Sequence, residues 1–208
     1  LFDLDAETNI LSRGQGAILL TFQTTASDLF SGTHWLSAAI QLAKSAEADI
    51  SDHELGDKNP ETLAKKRLWW CIILRDRIHS LALRRPIQLR PDQAHIGCDY
   101  LHEKDMEDEI EHSKVYSADE KRQLVHIFRL QCQLAVSITD LITIVYSPLW
   151  STHPEFTSAK NAISTQNEID EMKYSLQKWA EIAANTLGTS STSASVIMFT
   201  KLTYMYYE

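Results

Sequence analysis

Asp76 and His79 stand three positions apart in the segment Lys66-Arg-Leu-Trp-Trp-Cys-Ile-Ile-Leu-Arg-Asp-Arg-Ile-His79. A carboxylate and an imidazole one helical turn apart are the parts of a general acid–base pair. The neighbours favour a different use. Arg75, Asp76 and Arg77 interrupt a strongly apolar run, and a charge taken into such an interior is costly unless it is paired and hydrogen-bonded. Asp76 is therefore expected to accept hydrogen bonds from an Arg or from a loop backbone, clamping helix to loop. The clamp, not catalysis, is what these residue types favour.

The other chemistry-bearing clusters are weaker. Asp105-Met-Glu-Asp108-Glu109 has the density of an aspartate-rich magnesium site, which needs carboxylates facing a cavity and phosphate oxygens to complete the shell. No second metal motif follows it, and the stretch from His102 to Glu111 is expected to be a solvated acidic segment. Arg84, Arg85 and Arg90, and likewise Lys65, Lys66 and Arg67, lack a Gly-rich cradle and interleaved aromatics, so they are expected to be helix-end and solvated charges. Eight histidines include no H-E-x-x-H pair, and there is no G-x-S-x-G elbow, P-loop or dinucleotide fingerprint. Cys71, Cys98 and Cys132 are widely spaced, which suits reduced thiols better than a disulfide framework or a zinc site. Neither a metal nor a cofactor is expected.

The elements that carry these residues read as helices. Apolar residues recur at helical spacing from Leu11 to Phe22, although Gly14 and Gly16 weaken its start. A second helix, capped by Ser31 or Thr33, runs to about Ala48. After a polar linker, Asn59-Pro60 starts the Trp-rich helix, which continues to Leu83 and is apolar nearly all round. Such a helix belongs at the centre of a bundle. Arg85-Pro86 ends it, and residues 86–100 read as an extended loop. Capping boxes at Ser117–Glu120 and Thr165–Glu168 open two long helices. The first is expected to bury Leu124, Ile127, Phe128, Leu134, Ile138, Leu141 and Val145. The second ends at Leu187-Gly188, and a last apolar segment spans 196–207. The fold class is thus all-α, a single multi-helix domain of about six helices around a central buried Trp-rich helix.

Bulk properties limit the function further. The chain has 208 residues and a net charge of −8, which lowers the odds of a surface that neutralises phosphates. No apolar run of membrane-spanning length is apparent, and no membrane role is expected. The absence of an initiator Met, and a last helix without a terminator, lead us to expect a domain, residues 1–208, cut at both ends.

The Trp-rich segment also resembles the hallmark helix of the fungal-specific transcription factor domain, the middle homology region of zinc-binuclear-cluster regulators. That hallmark reads roughly R-x-W-W-x-x-x-x-x-D-R, then a small-residue turn and R-P. Arg67, Trp69, Trp70, Asp76, Arg77, Arg85 and Pro86 occupy those positions here. The likeness extends to Leu1–Glu7, to Trp35–Ala43 and to Ile127–Ser147, and is similar in particular to the cutinase-regulator-like branch. It covers most of residues 1–147 and thins beyond. The resemblance implies a nuclear regulatory module that senses a small apolar effector or a protein partner and controls transcription. In that family DNA is contacted by a six-cysteine zinc cluster. Three scattered cysteines cannot build one, so this chain is not expected to touch nucleic acid itself. Trp35, Trp70, His79 and Trp179 are candidate residues of an effector pocket, and a homodimer is a candidate assembly. The alternative is a stand-alone homologue recruited as a cyclase-like enzyme of specialised metabolism, then cytoplasmic. The resemblance weighs against an enzyme.

Overall fold

The computed structural model describes residues 6–23, 30–50, 59–94, 100–146, 159–187 and 193–207. Among them the chain is all α-helical, as expected, and it falls into two compact units. The first holds α1 (Ile10–Leu20), α2 (Ser31–Ser45), nearly all of α3 (Pro60–Leu83) and a single turn, α4 (Pro91–Ala94). The second holds a 3₁₀ turn (Glu103–Met106), α5 (Glu107–His112), α6 (Ala118–Val145), α7 (Ala159–Leu187) and α8 (Ala194–Tyr207).

In the first unit, α1 runs through both of its glycines. Gly14 is buried, and a Cβ there would sit 3.0 Å from Leu68 of α3 and 3.7 Å from Leu42 of α2. The glycine that weakens the helix by propensity is what lets α1 close on its neighbours. Neither Ser31 nor Thr33 caps α2: the flanking residue is Phe30, whose side chain makes no cap bond, and the Ser31 hydroxyl donates to the carbonyl of Gln23 at 2.8 Å. The helix stops at Ser45, three residues early, because Glu47 turns left-handed (φ 57°). Ala48 N–H then reaches the Ala43 carbonyl at 2.9 Å, and Glu47 N–H the Lys44 carbonyl at 3.0 Å, the double bond of a Schellman end.

Asn59 caps α3 as its sequence predicts, its Oδ1 accepting from Thr62 N–H at 2.8 Å, with Pro60 in the first turn. From Leu68 to Ser80 only Cys71, Arg75 and Ile78 retain partial exposure, so the helix is interior. It ends where Arg84 adopts φ 50°, one residue before Arg85-Pro86. The stretch that follows is not wholly extended, since residues 91–94 form a helical turn.

In the second unit, Ser117 and Glu120 form the expected capping box, with Ser117 N–H donating to Glu120 at 3.0 Å and Glu120 N–H to Ser117 at 3.3 Å. Hydrogen bonds from Ser193 and Ser117 hold the Glu120 carboxyl below its usual pKa. The buried stripe of α6 runs through Val125, Ile127, Leu130, Leu134, Ile138 and Ile142, whereas Val145 is 54% exposed. Leu124, Phe128 and Leu141 are half-buried. By length and composition α6 could cross a membrane, contrary to the expectation that no such run exists. Its apolar stripe instead packs against α7 and α8 within the unit. The Thr165–Glu168 pattern does not start α7, which begins at Ala159: nothing between 159 and 165 is Pro or Gly, so the helix runs straight through the capping motif. The acidic segment folds as the 3₁₀ turn and α5 rather than staying wholly solvated, because Asp105 turns inward to accept from His102 N–H at 2.9 Å and Ile110 is buried.

Candidate functional site

Two arrangements hold the residues with chemical potential, one in each unit. In the first, residues 87–94 form a strap fastened to α3 at two points. Trp69 and Asp76 are seven positions apart, two turns of helix and so on one face, about 10 Å apart along the axis. At one end, Trp69 Nε1–H donates to the carbonyl of Ala94 at 3.0 Å. At the other, Asp76 Oδ1 accepts from Gln88 N–H at 3.0 Å and Oδ2 from Leu89 N–H at 3.1 Å. Arg77 Nη1 bonds both Asp76 Oδ2, at 2.6 Å, and the Leu89 carbonyl, at 2.9 Å. The Arg77 and Asp76 side chains are 0% and 1% exposed, so each is the counterion the other needs. Burial raises the Asp76 carboxyl pKa, and Arg77 and the two strap amides work against that rise.

The clamp expected of Asp76 is therefore present, with both kinds of donor at once. His79 takes no part in it. Its Nε2 lies 3.3 Å from Thr33 Oγ1, and its ring packs where a Cβ on Gly32 would come within 2.8 Å. Arg75 turns the other way, donating from Nε to Thr21 Oγ1 at 2.8 Å and from Nη2 to the Thr21 carbonyl at 2.7 Å, with its guanidinium 3.9 Å over the Phe22 ring. That explains a Phe22 that is 66% exposed by area yet has a cationic partner. Cys71 is also on α3, and burial pushes its thiol up to about 11.

Of the four residues put forward for an effector pocket, Trp35, Trp70 and His79 belong to the first unit and Trp179 to the second. Trp35 is half-buried with its indole edge-on to His34, Trp70 is buried, and Trp179 donates from Nε1 to the Leu130 carbonyl at 2.9 Å. None of them lines an apolar cavity that the second unit contains.

That cavity, roughly 400 Å³, lies beside the 3₁₀ turn, α5, α6 and α8. Leu101, Met106 and Ile110 form one wall, Leu124, Ile127 and Phe128 of α6 another, and Phe199 of α8 stands at its edge. Polar groups in the lining are few: Glu109, Tyr116, Lys121 and Gln131. Lys121 is buried, its ammonium donating to the carbonyls of Glu109 and Ile110 at 2.9 Å each and to that of Ser113. It thereby satisfies the last carbonyls of α5, the favourable place for a cation on a helix. The cavity was not legible in sequence, because Leu124 and Phe128 read as ordinary core residues of α6. Among the described residues, no His, Cys, Asp and Glu cluster has the geometry to hold a metal ion.

Residues 17–181 match the fungal specific transcription factor domain, and the chain belongs to that family. The match takes in the strap, the Trp-rich helix and most of α7, reaching further than the sequence resemblance to Ser147. Among curated proteins, the chain is 27% identical over 210 residues to the cutinase transcription factor 1 beta of Fusarium vanettenii, covering 87% of this chain and 23% of that protein. It is 28% identical over 96 residues to a transcription factor of Fusarium pseudograminearum, with 45% of this chain and 10% of that protein covered. The transcription factor cpaR of Aspergillus oryzae shares 30% identity over 64 residues, 30% of this chain and 11% of the relative. The chain thus spans about a quarter of the first relative's length and about a tenth of the other two. No solved structure matches it.

Proposed function

We propose that this chain is the regulatory, effector-sensing part of a nuclear fungal transcription regulator, acting without contacting DNA itself and without catalysing a reaction. The family match over residues 17–181 carries this reading. Two further observations support it. A net charge of −8 opposes binding to a polyanion. The buried Asp76–Arg77 pair is consumed by the strap, so it offers no free acid or base for chemistry. The effector is a small apolar molecule or a protein partner, and a homodimer is a further form such a module can take.

Fusing residues 1–208 between a heterologous DNA-binding module and an activation segment in a yeast reporter strain tests the reading. The chain is expected to make reporter output depend on growth conditions, and the purified chain to leave a DNA fragment unshifted at physiological salt. Constant output with and without the chain, or turnover of a substrate by the purified protein, contradicts it.

A further inference from the structure

We infer that the cavity beside α5, α6 and α8 is a binding site for a small, neutral, largely apolar molecule carrying one N–H or O–H donor, and that α8 reads its occupancy. The inference rests on the regulatory reading above and adds where the effector binds and of what chemistry it is.

Size and shape come first. A space of roughly 400 Å³ is within the usual range for small-molecule pockets, about 300–1,000 Å³. Its walls are mainly Leu, Ile, Val, Met and Phe side chains, which suits an apolar body.

Charge comes next. Lys121 is the cation of the lining, and its three protons are already given to three carbonyls, so it has none to offer a ligand carboxylate or phosphate. Glu109, at the same cavity, repels an anion. A neutral molecule fits best.

The hydrogen-bond polarity of the site is set by a relay. Thr203 Oγ1 donates its single proton to the Phe199 carbonyl at 2.8 Å, so towards Gln131 it can only accept. Gln131 must then present its amide N–H, which reaches Thr203 Oγ1 at 2.9 Å. This fixes the orientation of the Gln131 amide in the cavity lining, with Oε1 left to accept from a ligand and the second Nε2–H left to donate. A ligand that donates to Oε1 joins a chain running through Gln131 and Thr203 to the Phe199 carbonyl, while its apolar body touches the Phe199 ring. Both contacts bear on α8, where Val196 and Thr203 are buried while Ile197, Met198 and Phe199 keep 42%, 52% and 37% exposure. Occupancy therefore steadies α8 against α6.

N-phenyl-1-naphthylamine is a suitable probe, being neutral, apolar, fluorescent in apolar surroundings and equipped with one N–H. Titrated into the 208-residue chain, it is expected to bind saturably at one site with enhanced, blue-shifted emission. Leu124→Trp and Met106→Trp each fill the cavity and should weaken that binding by about tenfold or more, a loss read as a change in Kd. Circular dichroism checks that each variant is folded, and where Leu124→Trp fails to fold, Met106→Trp decides between the outcomes. Probe affinity that a folded cavity-filling variant leaves unchanged overturns the site, as does a folded wild-type chain with no saturable binding. Neither result touches the regulatory reading, which fails only if the reporter output is indifferent to the chain.

Discussion

Asp76 and Leu89 are thirteen residues apart in sequence, and the Asp76 carboxylate accepts the Leu89 amide at 3.1 Å while its neighbour Arg77 donates to the Leu89 carbonyl at 2.9 Å. Two consecutive side chains of a helix thus satisfy both backbone groups of one fully buried strap residue. Leu89 has no sheet or helix partner to do so, and an unpaired buried amide or carbonyl is expensive. The charged pair in the Trp-rich helix is therefore a substitute for secondary structure.

Breaking that pair should be severe. Asp76→Asn leaves the Arg77 cation buried without a counterion, and loss of one partner from a buried pair costs about 3–5 kcal/mol. Against a typical total of about 5–15 kcal/mol, the urea midpoint is expected to fall steeply. Asp76→Leu combined with Arg77→Met removes both charges and should recover part of the loss. It cannot recover all of it, because Gln88 N–H and Leu89 N–H still lack an acceptor. Full recovery by the double variant would mean that the strap bonds contribute nothing.

Gly32→Ala is expected to destabilise the chain by about 1–3 kcal/mol through overpacking. The new Cβ would stand 2.8 Å from both His79 Cε1 and the Thr21 carbonyl oxygen. His79→Ala in the same chain relieves only the first clash, since the second is with backbone already held by Arg75. Thermal melts of the wild type and the two variants should give the order wild type, then the double variant, then Gly32→Ala; a double variant no more stable than Gly32→Ala contradicts the clash with His79.

Glu47→Gly isolates a backbone effect at an exposed site. A left-handed L-residue costs about 1–2 kcal/mol, and Gly gives back about 0.5–1 kcal/mol through the unfolded chain's extra freedom. The difference favours glycine, so the Tm should rise slightly. A fall would show that the Glu47 side chain makes a contribution of its own.

The Cys71 thiol should resist alkaline ionisation. With its pKa raised from the ordinary 9.0 to about 11, chiefly by burial against the opposing effect of Arg67, the folded chain holds this proton where the unfolded chain releases it. The group's contribution to stability is present below pH 9 and disappears as pH climbs towards 11. At pH 9 about half of an ordinary thiol is thiolate, against about one per cent here, and only thiolate attacks iodoacetamide at a useful rate. Peptide mass spectrometry should find Cys71 labelled far more slowly in the folded chain than in urea. Equal rates contradict the shift.

Much of this was legible because caps and periodicity are local. Asn59-Pro60 and the Ser117–Glu120 box mark helix starts that the structure reproduces, and a carboxylate inside an apolar run had to find donors. What escaped depended on context. The Thr165–Glu168 box is a cap only if the chain before it is not helical, and here it is. Val145 has the spacing of a buried residue but lies at a helix end and stays exposed. Asp105 read as a solvated carboxylate until a backbone turn brought the His102 amide to it. The cavity is a property of several elements meeting, and no single stretch of sequence encodes it.

The strap itself gives the most direct test of the central claim, that the Asp76–Arg77 pair fastens a loop to an interior helix. Amide hydrogen exchange, followed residue by residue, should find Gln88 and Leu89 protected to the level of the α3 amides around Trp70 in the wild-type chain, and exposed to exchange in Asp76→Asn under conditions where α3 stays protected. If the wild-type amides of Gln88 and Leu89 exchange at the rate of a solvated loop, the clamp is not there.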